Sequence, residues 1–222
     1  MSPPNQNPFI SKLLSDKKLT KAALVDDVFD PIQEGEIKLE SLLAFNQVAS
    51  NFENFEKTLK DYSIDLGDIG SFEGDNDDNL LVCLNNLWSF FKSDIPENIK
   101  DALIKFLFSK RNEKLSDLNK IQKNLESLNI QVETFGSGEG NLEHFKKGNF
   151  NFIFMDFYLG AIENKIAVDA AISKMKAIYN CYTPDNKPVT LVMSTSNVAH
   201  EMEKFKTEAE IVDGIFRFSS KK

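Results

Sequence analysis

Three aspartates carry the chemistry this sequence offers most openly. Asp26 and Asp27 follow the short apolar run Ala22–Val25, and Asp156 ends the run Phe150–Met155. A short apolar run bounded by turn signals fits a buried parallel strand. Open α/β sheets place their sites at the carboxyl ends of such strands. Asp30 stands just behind the first pair, ahead of Pro31. Acids this close repel one another unless a cation or solvent compensates. Two readings follow from the residues. Either the two strand ends meet and hold a metal, or Asp26-Asp27 is a solvated acidic turn and Asp156 caps the next loop.

Other chemistries are less well served. Asp75-Asn76-Asp77-Asp78 lacks the alternating ligands and twelfth-position Glu of an EF-hand loop, so a solvated loop and acidic helix start is expected there. Gly136-Ser137-Gly138-Glu139-Gly140 has neither the P-loop lysine nor dinucleotide-binding spacing, and reads as a mobile loop. His144 and His200 have no ligand-spaced partner and read as surface residues. Ser194 has no adjacent histidine and no nucleophile-elbow pattern. Haloacid-dehalogenase-type phosphatases need an acid two residues after the nucleophile. After Asp156 that residue is Tyr158, and after Asp26 it is Val28.

The elements that must position the acids alternate in type. Strands are predicted near 21–26, 130–134, 150–155, 189–194 and 212–218. Helical stripes lie between them: Leu118, Ile121, Leu125 and Leu128; then Leu142 and Phe145; then Ile166, Ala167, Ala170, Ala171, Met175 and Ile178. A short helix is expected over Val198–Thr207 and another over Phe9–Leu14, behind a proline-rich tail at Met1–Pro8. Such alternation builds right-handed crossover units and a parallel sheet. Between the first two strands the pattern is helical. Glu36–Tyr62 reads as mainly helix, Leu80–Phe91 is strongly apolar around Trp88, and a helix over Pro96–Phe108 follows. Asp94-Ile95-Pro96-Glu97 has the form of a capping box for that last helix.

Composition bounds the function. The 222 residues suffice for one large domain or two small ones, and 41% hydrophobic content permits a core. A net charge of −8 excludes a binder of phosphate backbones, which needs a basic face. No run reaches transmembrane length and the first twenty residues lack an export signal, so neither membrane nor nucleic acid is an expected partner. Two cysteines without a CxxC spacing point to a reducing, cytoplasmic setting.

Taken in order, these residues resemble a response-regulator receiver domain. Ala22–Val25 with Asp26-Asp27 is similar to its first strand and acidic pair. Glu126–Asp156 follows its run into the phosphoacceptor strand, and Asp156-Phe157-Tyr158-Leu159-Gly160 resembles the segment after it. Val189–Met193 with Ser194-Thr195-Ser196 resembles the fourth strand and its hydroxyl residue, and Gly214–Phe218 the fifth strand. The resemblance covers roughly 20–30 and 112–218.

It implies an α/β, CheY-like or flavodoxin-like three-layer sandwich. The sheet is five-stranded and parallel, in order 2-1-3-4-5, with a helical insertion. The implied organisation is a tail and short helix at 1–20, a receiver-like domain from 21–31 and 111–222, and the insertion at 32–110. It further implies Mg²⁺ held by Asp27 and Asp156, with Asp26 assisting through water and the Tyr158 carbonyl as a third protein ligand. Asp156 becomes the phosphoacceptor and Ser194 contacts the phosphoryl group. The implied partners are a histidine kinase or phosphotransfer protein and a downstream protein, and the module is not an enzyme.

Three departures open an alternative. No Lys-Pro pair follows the fifth strand, where the sequence reads Ile215-Phe216-Arg217-Phe218-Ser219-Ser220. The usual last helix has no counterpart before Lys222, which leaves Phe9–Leu14 as a candidate to cover that sheet face. The helical insertion resembles atypical receivers that accompany histidine-kinase-like ATPases in bacterial defence systems. The alternative is a pseudo-receiver, a phosphorylation-independent protein-interaction module.

Overall fold

Lys21–Val25 forms the first strand, β1, and its last four residues are buried. The structure is a computed structural model. It describes residues 18–222 apart from 63, 65, 67–68, 76, 161–162, 195–201, 211–215 and 221–222. At 70, 139, 202–203 and 216–220 it describes the backbone alone. The helix expected at Phe9–Leu14, the tail before it, His200, Thr195-Ser196 and Lys221 lie outside the described residues, as does the Arg217 side chain.

The chain divides into two compact units. One takes the described residues up to Asp30 and those from Ser116 onward; the other is Pro31–Leu115.

The first unit is α/β. Its strands are β1, β2 (Gln131–Phe135), β3 (Phe152–Asp156) and β4 (Val189–Ser194). They lie in the order β2-β1-β3-β4, and every pairing is parallel. The backbone of Phe216–Ser220, β5, runs parallel beside β4 with Ser194 opposite Ser220. Val25 stands opposite both Phe135 and Met155, and Asp156 stands opposite Met193. Parallel neighbours bring all carboxyl ends to one edge.

One face of this sheet carries a large apolar cluster. Ala23 and Val25 of β1, Ile153 and Met155 of β3 and Val192 of β4 are at most 2% exposed. They alternate along their strands, as period-two geometry requires. Against them pack α6 (Leu142–Gly148) through Phe145, α7 (Lys165–Tyr179) through Ala171, Met175 and Ile178, and α8 (Met202–Glu208) through Phe205. Phe150 lies ahead of β3 rather than in it, yet its ring meets Phe135 and Phe145 at 5.6 and 5.3 Å. Asn164 caps α7 by accepting the Ala167 N–H at 3.1 Å. Ile166, expected in the inward stripe, is 77% exposed. It falls with Asp169, Ser173 and Lys176 on the outward side of the helical period.

The second unit is helical. It holds α1 (Leu39–Ala49), α2 (Phe55–Asp61), α3 (Asp78–Phe91), α4 (Glu97–Leu103) and the start of α5 (Ser109–Ser127). The stretch 36–62, expected to be mainly helical, holds two helices, and Asn54, with a left-handed φ of 62°, stands at the N-cap of the second. The expected capping box does not form. Pro96 occupies the N-cap of α4 without a side-chain bond. A π-helical turn, Ile104–Phe108, joins α4 to α5. The helices expected as separate at 96–108 and 115–128 are therefore continuous, and the boundary between units falls inside α5. Trp88 anchors this core, stacked on Phe91 at 5.4 Å and edge-on to Phe108 at 5.1 Å. Arg111 lies over Trp88 and donates to both Glu36 carboxylate oxygens and to the Pro31 carbonyl.

Candidate functional site

The two acidic strand ends meet. Because β1 and β3 are neighbours in register, Asp26 and Asp27 leave the sheet beside Asp156. Each offers a carboxylate oxygen, and the three oxygens lie within 4.8 Å of one another. Asp26 is wholly buried and Asp156 is 2% exposed, while Asp27 is half-buried. Burying carboxylates this close is costly without compensation by cations or hydrogen bonds. Three carboxylate oxygens this close, one of them on a half-buried residue, could hold a metal ion.

A short turn holds the first two acids. Asp27–Phe29 is a single 3₁₀ turn with Asp26 as its N-cap. One Asp26 carboxylate oxygen accepts the Val28 N–H at 3.0 Å, and the Phe29 N–H donates to the Asp26 carbonyl at 3.2 Å. Asp26 N–H in turn donates to the Phe135 carbonyl at 3.0 Å, which ties the turn to the end of β2. On the far side, Phe157 N–H donates to the Met193 carbonyl at 2.8 Å and carries the β3–β4 pairing past Asp156. Ser194 follows Met193 at the end of β4 and is fully buried. Tyr158 is half-buried, with its ring edge-on to Phe157 at 4.9 Å. Sequence-predicted Asp26, Asp27 and Asp156 thus converge, and Ser194 and Tyr158 lie on the flanking strand end and loop.

Sequence reasoning missed what anchors this edge. The Gly136–Gly140 loop, expected to be mobile, is tied at two points. Ser137 donates from both its N–H and its hydroxyl to one Asp30 carboxylate oxygen, each at 2.7 Å. Lys174, buried on α7, donates from Nζ to the Gly138 carbonyl at 2.5 Å. Gly136 is required for this approach, because a Cβ there would lie 1.8 Å from an Asp30 carboxylate oxygen. Its sequence signal was a glycine directly after a strand, which marks close backbone approach as often as a turn. His144 is exposed on α6, as its isolation suggested. The 75–78 acids are used locally: Asp77 accepts the Glu73 and Asn79 N–H groups, and Asp75 accepts the Leu39 N–H. The Glu73 and Asn79 backbone hydrogen bonds are the chief causes that lower the Asp77 pKa.

None of the described helices is long and apolar enough to cross a membrane. Comparison of the chain with protein-family models, with curated proteins and with solved structures returned no match.

Proposed function

We propose that the chain is a receiver-type signalling module that accepts a phosphoryl group on Asp156 and changes its affinity for a protein partner. The observation that carries this reading is the convergence of Asp26, Asp27 and Asp156 at the carboxyl edge of a parallel sheet. The five-strand order 2-1-3-4-5 of a flavodoxin-like sandwich belongs to the same reading, and the parallel pairing of Phe216–Ser220 with β4 supports it.

In this reading Asp27 and Asp156 hold Mg²⁺, Asp26 assists through water, and the Tyr158 carbonyl completes the protein ligands. When bound, the cation offsets the negative charge that gathers as phosphoryl and carboxylate approach. The Asp156 carboxylate oxygen forms the new P–O bond, and the P–N bond to a donor phosphohistidine breaks, leaving neutral imidazole after protonation. Ser194, at the end of the adjacent strand, donates its hydroxyl to a phosphoryl oxygen and couples the modification to a conformational change. The donor is a histidine kinase or phosphotransfer protein, and the output is a downstream protein.

One observation favours the pseudo-receiver reading instead. No lysine occupies the 215–220 stretch where the family places its phosphoryl-reading residue. A missing charge-assisted contact of about 1.5–3 kcal/mol weakens a switch whose states differ by only a few kcal/mol. The expected behaviour is therefore modification with a muted response. Beryllofluoride with Mg²⁺ should bind and shift resonances of Asp156 and Ser194, and Ser194→Ala should reduce the response while leaving Mg²⁺ binding intact. Mg²⁺ binding with no beryllofluoride binding at any concentration would leave the interaction module as the better reading.

A further inference from the structure

We infer that Asp30 is a positioning residue that fixes the cation-binding geometry of Asp27 from outside the acid cluster. The inference rests on the cation reading of that cluster and deepens it. Asp27 sits on a turn only five residues long, Asp26 to Asp30, and both ends of that turn are tied to the exit of β2. At the first end, Asp26 N–H donates to Phe135. At the second end, one Asp30 carboxylate oxygen accepts two bonds of 2.7 Å from Ser137.

Within the turn, the Phe29 and Asp30 N–H groups donate to the Asp26 and Asp27 carbonyls at 3.2 and 3.0 Å. Bonds of this 3₁₀ type are poorly aligned and hold single turns weakly. The Asp30 carboxylate oxygen, by accepting two bonds, therefore supplies the tie that stops the turn from opening at its carboxyl end. Opening there would move Asp27, the half-buried member of the cluster, away from Asp26 and Asp156. Asp26 is tied to Phe135 through its own N–H, and Asp156 ends β3 in register with Met193. A side chain at Gly136 would displace the Asp30 carboxylate, because a Cβ there would lie 1.8 Å from one of its oxygens.

The tie depends on hydrogen-bond acceptance, not on net charge, and this separates it from a field effect. An asparagine oxygen at position 30 can accept the same two bonds. Asp30→Asn should thus bind Mg²⁺ or Mn²⁺ within about twofold of the unmodified chain. Asp30→Ala should bind at least about tenfold more weakly, the loss usual when an outer partner of a metal ligand is removed. Ser137→Ala keeps the N–H bond and should fall between them, and Gly136→Ala should approach Asp30→Ala.

Cation affinity is read by calorimetry with Mg²⁺ and by Mn²⁺ paramagnetic resonance on the full chain, with melting temperature recorded for each variant. Lower stability with unchanged affinity in Asp30→Ala would overturn the inference and leave Asp30 with a folding role only. Equal losses in Asp30→Asn and Asp30→Ala would overturn it in favour of long-range charge. If the unmodified chain binds neither ion, the cation reading itself falls, and the inference with it. Should Asp30→Ala not fold, Ser137→Ala, at an exposed residue, carries the same comparison against Asp30→Asn.

Discussion

Asp27 and Asp156 belong to different strand ends, far apart in the chain, yet offer carboxylate oxygens within 4.8 Å of one another. The pairing of β1 with β3, Val25 opposite Met155, is what brings them there. Any cation that links them also links the two strands, so its binding must stabilise the folded chain over the unfolded one.

Mg²⁺ should therefore raise the melting temperature. At ten times its dissociation constant a single bound ion contributes about 1.4 kcal/mol. Asp27→Asn should abolish the increment. Scanning calorimetry across a Mg²⁺ series, with NaCl as the ionic-strength control, measures it; an equal rise in the variant would dissociate the effect from this site.

The sheet unit should lose stability in alkali. Burial pushes the Tyr179 hydroxyl up to about 12, with the Thr190 hydrogen bond, 2.6 Å long, a smaller opposing influence. Burial likewise pushes Tyr182 up to about 12. An unfolded tyrosine ionises near 10. Between those values the unfolded chain has released protons that the folded chain still holds, so stability is complete below pH 10 and falls towards pH 12. Tyr182→Phe should flatten that slope. Urea midpoints at three alkaline pH values would reveal it, and a slope identical to the unmodified chain's would show that other groups dominate.

Gly148→Ala should destabilise the sheet unit although alanine favours helix. A Cβ at 148 would lie 2.3 Å from the Phe150 ring, and that ring is held between Phe135 and Phe145. Overpacking of this kind costs about 1–3 kcal/mol. Pairing the change with Phe150→Leu should recover part of the loss, which a denaturation double-mutant cycle would quantify.

The helical unit contains a largely buried ion pair. Arg111 and Glu36 have side chains only 7% and 15% exposed. Glu36→Ala leaves the guanidinium buried without its carboxylate and should cost about 3–5 kcal/mol. Glu36→Leu combined with Arg111→Met should be far milder, because an apolar pair of similar volume removes both charges. Equal losses for the single and the double change would mean that the charges are not what matters.

The limits of the sequence are visible in particular residues. Period-two and period-3.6 patterns placed β1, β4, α7 and the Asp156 strand end within a residue or two, because those patterns depend on local geometry alone. The acids at the strand ends were legible for the same reason. Ile166 lies off the inward stripe because the helical period groups it with Asp169, Ser173 and Lys176, while Ala167, Ala171, Met175 and Ile178 face the sheet. The break at Asn54 and the join of α4 to α5 through a π turn were hidden, since each trades local preference for burial of Phe45, Phe55 and Phe108. The sequence determined which carboxylates exist and that each ends a strand. The tertiary structure alone decided that they meet, that Asp30 reaches Ser137 and that Lys174 reaches Gly138. Those contacts join segments whose separation carries no periodic signal, and strand order in a parallel sheet is set by long crossovers rather than by neighbouring residues.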